Sequence, residues 1–215
     1  GLAVRKWINA EQLTAFTANF LAITKGAGLP VMPFLEASKS MQRGIGYAGE
    51  GDVLTASLVG ALAQSWGEVS FTEMFCPDWE SDAVFLSHMG EMNLGLAATT
   101  PKAMEKPWSY TDAEPPVVAT AAFRPGPATL VNLAPGPDET YTLIASAVAV
   151  VLEGDDVNFG QSIRGWFRPK LPLPEFLAEY SRHGGTHHAA LVYGDVTHEI
   201  ESLARFLGLQ QQTIG

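Results

Sequence analysis

A change of texture at Gly67 constrains the fold more than any other feature of this chain. Beyond it, runs rich in β-branched and aromatic residues recur at Val69–Phe75, Ala83–Ser87, Val117–Phe123, Thr129–Leu133, Thr140–Leu152 and Ser162–Phe167. Gly126-Pro127, Pro135-Gly136-Pro137 and Glu153-Gly154-Asp155-Asp156 supply turn chemistry between them. Short strands at such regular spacing predict an antiparallel sheet or barrel. A helix over Pro174–Arg182, a strand running to Tyr193 and a last helix over about Val196–Leu207 complete this part. Residues 97–116 read as a long loop, and no internal repeat is present.

Before Gly67 the pattern alternates between helix and strand. Val4, Trp7, Ile8 and Leu13 have approximate helical spacing, Ala15–Ile23 reads as a strand, and Leu29–Met41 reads as a helix after its prolines. Gly44–Gly49 is a Gly-rich strand or turn. Leu54, Leu58, Ala61 and Leu62 mark a helix over Val53–Trp66, with Asp52 placed to cap it.

With 215 residues, 47% hydrophobic and 17% charged, the chain has ample apolar surface for a core. Its formal charge of −10, with 13 scattered Lys and Arg, argues against a nucleic-acid partner, which needs clustered cations. A neutral substrate such as a sugar suits this balance better. The lone Cys76 fits a reducing cytoplasm. The most apolar stretch, Leu143–Leu152, falls well short of the roughly 18 residues that signal a membrane span. The abrupt start in helix-like sequence reads as a piece of a longer protein.

Residues with metal-binding chemistry are spread over this framework. Glu50 lies in Ala48-Gly49-Glu50-Gly51-Asp52, Glu73 ends Ser70-Phe71-Thr72-Glu73, His88 opens His88-Met89-Gly90-Glu91, and His187 and His188 close Gly184-Gly185-Thr186-His187-His188. Two carboxylates and two imidazoles form a complete ligand set for one manganese, iron, cobalt or zinc ion. Each residue also has a plainer reading. Glu50 can simply sit in the favourable field of a helix N-terminus. Glu73, on one strand face with Phe71 and Phe75, needs a metal or an arginine such as Arg124 or Arg164 if it is buried. His88 ends an apolar run and can be a hydrogen-bonded core residue. If His187 and His188 continue the following strand, their side chains face opposite ways, and one ion takes only one of them easily. His183 and His198 read as surface residues.

No His-x-x-x-His, His-Glu-x-x-His or Gly-x-Ser-x-Gly motif is present. Gly44-Ile45-Gly46-Tyr47-Ala48-Gly49 has the form of a dinucleotide fingerprint. Glu50 would then stand against a pyrophosphate, which argues against that function.

In combination and order, these segments resemble the C-terminal half of the L-arabinose isomerase and L-fucose isomerase superfamily, the arabinose isomerase branch more closely. Phe123-Arg124-Pro125-Gly126-Pro127-Ala128 and Gly165-Trp166-Phe167-Arg168-Pro169 extend the resemblance through the β-rich stretch. Where that family usually carries Trp and Lys after Glu-Gly-Asp, this chain has Val53 and Leu54.

The resemblance implies an α+β chain: the end of a Rossmann-like α/β central domain over residues 1–68, then an antiparallel β-barrel-like C-terminal domain over 69–215. It implies Mn2+ or another divalent metal held by Glu50, Glu73, His88 and His188. Glu50 and Glu73 become the acid–base pair, and His187 contacts substrate or relays a proton. The implied reaction is aldose–ketose isomerisation through an enediol. The implied context is a cytoplasmic homo-oligomer whose full-length subunits complete one another's sites, so that this piece is inactive alone. Two rivals are a non-catalytic sugar-binding or regulatory module and metal-assisted hydrolysis by the same ligands.

Overall fold

A computed structural model describes residues 1–155 and 157–215. The first part of the chain contains α1 (Leu2–Ala10), β1 (Ala15–Thr17), α2 (Phe34–Gln42), β2 (Gly46–Ala48) and α3 (Val53–Trp66). β1 and β2 pair in parallel, Ala15 opposite Gly46 and Thr17 opposite Ala48. α3 lies directly on β2 because two glycines face each other. A Cβ at Gly46 would fall 2.3 Å from the Gly60 nitrogen. Asp52 caps α3 as expected, its Oδ1 accepting from the Thr55 N–H at 2.8 Å.

The second part is a closed barrel. Its strands are β3 (Val69–Asp78), β4 (Ala83–Ser87), β7 (Gly126–Pro135), β8 (Tyr141–Val151), β9 (Gly165–Pro169) and β10 (His188–Tyr193). They run antiparallel in the order β8-β7-β10-β3-β4-β9, and β9 pairs back onto β8. Closure leaves no free edge within the ring. β11 (Gln210–Thr213) adds to β8 in parallel, and β5 (Lys102–Glu105) with β6 (Val117–Thr120) forms a separate antiparallel pair. Helices α4 (Leu173–Arg182) and α5 (Thr197–Leu207) flank β10 in sequence. No helix of the described residues is long and apolar enough to cross a membrane.

Strand alternation sorts side chains into two main cores. Ala189 and Leu191 of β10 join Leu130, Val148, Phe167 and the α4 residues Phe176 and Tyr180. Ala190 and Val192 join Phe71, Val131, Leu62 and Val59 of α3, and Ile200 of α5. Both faces of β10 are thus covered, which is why Ala189-Ala190-Leu191-Val192 reads as an unbroken apolar run. The second of these cores also contains Phe16, Tyr47 and Ala56, so apolar packing continues across the Gly67 junction.

Several expectations change. The strand from Ala15 stops at Thr17, because the Asn19 side chain accepts from the Leu21 N–H and turns Phe20–Ala22 into a 3-10 helix. The helix expected from Leu29 starts only at Phe34, after Pro33. Residues 97–116 are not wholly loop, since Lys102–Glu105 pairs with β6. β11, a run of three glutamines and a threonine, had no apolar signal to mark it. Of the turn read at Glu153–Asp156, Asp156 lies outside the described residues.

Candidate metal centre

The candidate site forms where one end of the barrel meets the β2–α3 turn. β4, β3 and β10 are neighbours in the barrel, and their register brings Glu73 opposite both His188 and Ser87. His88 follows Ser87 at the end of β4, and His188 opens β10. Three residues distant in sequence therefore converge at one rim. Glu50 reaches them from the turn after β2, where it adopts φ 60° and Gly51 φ 84°. A non-glycine residue held in the left-handed region is uncommon, and such residues cluster at functional sites.

Phe71 lies beneath both imidazoles. Its ring meets His88 edge-on at 4.8 Å and His188 at 5.0 Å, and the two imidazole centroids are 5.5 Å apart. Gly49 is required by close approach: a Cβ there would lie 2.4 Å from His88 Cε1. His88 and His188 are buried, whereas Glu50 and His187 are exposed at the mouth.

One potential ligand atom from each of Glu50, His187 and His188 falls within 4.8 Å of the others. His188 Nε2 is 3.8 Å from Glu50 Oε2 and is buried with no hydrogen-bond partner among the described residues. An orphaned imidazole nitrogen facing a carboxylate is a costly arrangement for a purely structural site, and a cation there would resolve it. The donor chemistry and the orphaned atom both fit a divalent ion.

Of the four residues expected as ligands, Glu50 and His188 belong to this tight group. Glu73 and His88 stand around it rather than in it, and His187 takes a place in it. The opposite-faces argument for the histidine pair fails because β10 begins only at His188. His187 lies in the preceding turn, with its ring centroid 4.3 Å from that of His188.

The arginine alternatives for Glu73 are otherwise engaged: Arg124 pairs with Glu68, and Arg164 with Asp155. Phe75, expected on Glu73's face, is 61% exposed, beside a register shift between Met74 and Cys76. Neither outlying histidine approaches the site in its contacts, His183 lying near Glu179 and His198 near Glu201.

Two carboxylates that sequence reading passed over contact the rings. Asp52 Oδ2 lies 2.9 Å from His188 Nδ1, and Glu91 Oε2 lies 2.8 Å from His88 Nδ1. Burial works against charge on His88, but Glu91 outweighs it, aided by Glu73 and Glu50, and the His88 pKa is held above its ordinary value. Burial likewise opposes the Asp52 charge, yet bonds from His188 and Thr55 prevail and lower its pKa to about 2. The i,i+3 spacing of His88 and Glu91 was a signal for one contact. The 136 residues between Asp52 and His188 concealed the other.

The barrel and the helix–strand segment before it each find a counterpart in one family of sugar isomerases. The chain matches the L-arabinose isomerase C-terminal domain over residues 68–210 and the L-arabinose isomerase central domain over residues 1–65. The chain belongs to the L-arabinose isomerase family.

Among its relatives, the L-arabinose isomerase of Acidothermus cellulolyticus is 29% identical over 215 residues, covering 97% of this chain and 42% of its own. That of Pediococcus pentosaceus is 28% identical, with 96% and 44% covered. That of Oceanobacillus iheyensis is 28% identical, with 97% and 44% covered. The chain thus spans less than half the length of these curated relatives.

Proposed function

We propose that this chain carries the metal-binding part of an aldose–ketose isomerase acting on L-arabinose or a close relative of it. The observation that carries this reading is the convergence of Glu50, His187 and His188 around an unpartnered, buried His188 Nε2. Glu50 and His188, from that group, with Glu73 and His88 beside them at the same rim, are the residues that would hold Mn2+ or another divalent ion, the set that the family resemblance implies. When bound, the ion supplies Lewis-acid stabilisation of the charge that develops on the sugar's O1 and O2.

The chain's own residues then move the proton. A Glu50 or Glu73 carboxylate removes the C2 hydrogen as a proton, the C–H pair becomes the C1=C2 bond, and the C1=O π pair moves onto O1, which takes a proton to give the enediol. The O2 hydroxyl then gives up its proton, its pair forms C2=O, and the C1=C2 pair takes the returning proton at C1. Atoms and charge balance without an oxidant. His187, exposed at the mouth, is placed to exchange a hydroxyl proton with solvent. Phe71, packed against both rings, keeps the floor of the site dry.

In this reading residues 1–68 are the end of a Rossmann-like central domain and 69–215 the C-terminal domain. The remaining substrate contacts come from the rest of the full-length protein and from a neighbouring subunit of a homo-oligomer. The test is Mn2+ binding by the purified chain, followed by analysis of L-arabinose incubated with the full-length protein. Conversion to a ketose of unchanged mass is expected. Failure to bind Mn2+, or a hydrolytic product, would overturn the proposal.

A further inference from the structure

The two buried imidazoles are held in the same way by carboxylates that are not themselves among the expected ligands. Asp52 uses one oxygen on the scaffold, accepting from the Thr55 N–H at 2.8 Å, and places the other 2.9 Å from His188 Nδ1. Glu91, with 0% of its surface exposed, accepts from the Tyr47 hydroxyl at 2.9 Å and places its second oxygen 2.8 Å from His88 Nδ1.

A carboxylate can only accept, so each neutral ring must carry its proton on Nδ1 and leave Nε2 with a bare lone pair. A free neutral imidazole in water prefers the opposite form. The consequence is visible at His188, whose Nε2 is buried, unpartnered and turned toward Glu50. Both arrangements also bridge the junction at Gly67. Asp52 and Tyr47 belong to the first part of the chain, and the rings they govern belong to the barrel.

We propose that Asp52 and Glu91 are positioning residues that lock His188 and His88 in the Nδ1–H form and aim both Nε2 atoms into the site. Such outer partners fix ring orientation and raise the basicity of the nitrogen that binds a metal. The inference rests on the metal reading above for its purpose, but the tautomers can be measured without any metal.

The experiment records nitrogen-15 spectra of the histidine rings in the metal-free protein, at a pH above their titration, and then Mn2+ affinity. Two of the five histidines should be Nδ1–H in the parent. Asp52→Ser keeps an N-capping oxygen for α3 but is too short to reach His188, so one ring should revert to Nε2–H with the fold intact. The double variant Tyr47→Phe/Glu91→Met removes both buried polar partners together and should release the His88 ring alone. Tyr47→Phe by itself should leave both rings locked. Each release should weaken Mn2+ binding by about 10–100-fold.

Parent rings in the Nε2–H form, or rings that stay locked in the Asp52 and Glu91 variants, would overturn the positioning role. Rings that lock and release as stated in a protein that never binds Mn2+ would uphold the positioning and overturn the metal reading instead.

Discussion

Among the described residues two regions bury a carboxylate, and they resolve its charge in opposite ways. Glu36 on α2 is clamped by the Nε and Nη2 of Arg5, each at 2.9 Å, and by Arg43 Nη2 at 2.6 Å. Burial raises its pKa less than the two guanidiniums lower it, and both carboxylate oxygens are paired. Glu91 at the barrel rim is still more deeply buried, but its partners are a tyrosine hydroxyl and an imidazole. That imidazole has a second nitrogen, and it belongs to a rim where another buried nitrogen has no hydrogen-bond partner among the described residues. A closed ion network fixes helices against each other. An open one leaves binding capacity, and only the latter is expected to respond to a metal.

Four outcomes would break or sharpen that contrast. His188→Ala should reduce Mn2+ affinity most, by about 100-fold or more, since it removes the orphaned nitrogen itself, whereas His198→Ala should leave a titration unchanged. Gly49→Ala should come next: its methyl group meets His88 Cε1, and overpacking of this kind costs about 1–3 kcal/mol. Denaturant melts should register that loss, and Mn2+ binding should weaken with it.

Glu36→Gln should destabilise the chain by about 1–2 kcal/mol without affecting Mn2+ affinity, a modest loss because both arginines are partly exposed and can turn to water. Equal sensitivity of the two properties would erase the distinction between the regions. The last outcome is a pH dependence. Folding lowers the Asp52 pKa from 3.8 to about 2, so the unfolded chain binds that proton first as the medium is acidified. Its stabilisation is therefore complete above the ordinary carboxylate range and is lost as pH falls through about 2. Acid melts of Asp52→Asn should lack this component.

Much of the fold was legible because its signals are local. The α3 limits, Val53 and Trp66, and its Asp52 cap follow from helical spacing and capping chemistry alone. The barrel strands announced themselves by β-branched runs between turns, and β4 was read to the residue. β5 hid among lysines, a glutamate and flanking prolines, where pairing with β6 rather than any propensity makes the strand.

The site was legible as residue types but not as geometry. Which histidine nitrogen faces which carboxylate depends on register between strands about a hundred residues apart, and no local pattern encodes it. His187 illustrates the limit. Its orientation turns on whether β10 begins one residue earlier, a boundary that periodicity does not resolve.

The position of β10 in the ring also sets the order in which the molecule can be assembled. β10 occupies the slot between β3 and β7 although it follows both in the chain. During synthesis the β7–β8 and β3–β4 hairpins can close locally, while the facing edges of β3 and β7 wait unpaired for Ala189–Tyr193 to emerge. For that interval the nascent barrel is an open sheet with two adhesive borders, the state most exposed to pairing with another chain. The strand that ends the hazard is the one that delivers His188. Capture of an ion by the finished rim would therefore report that the last stave of the barrel is in place.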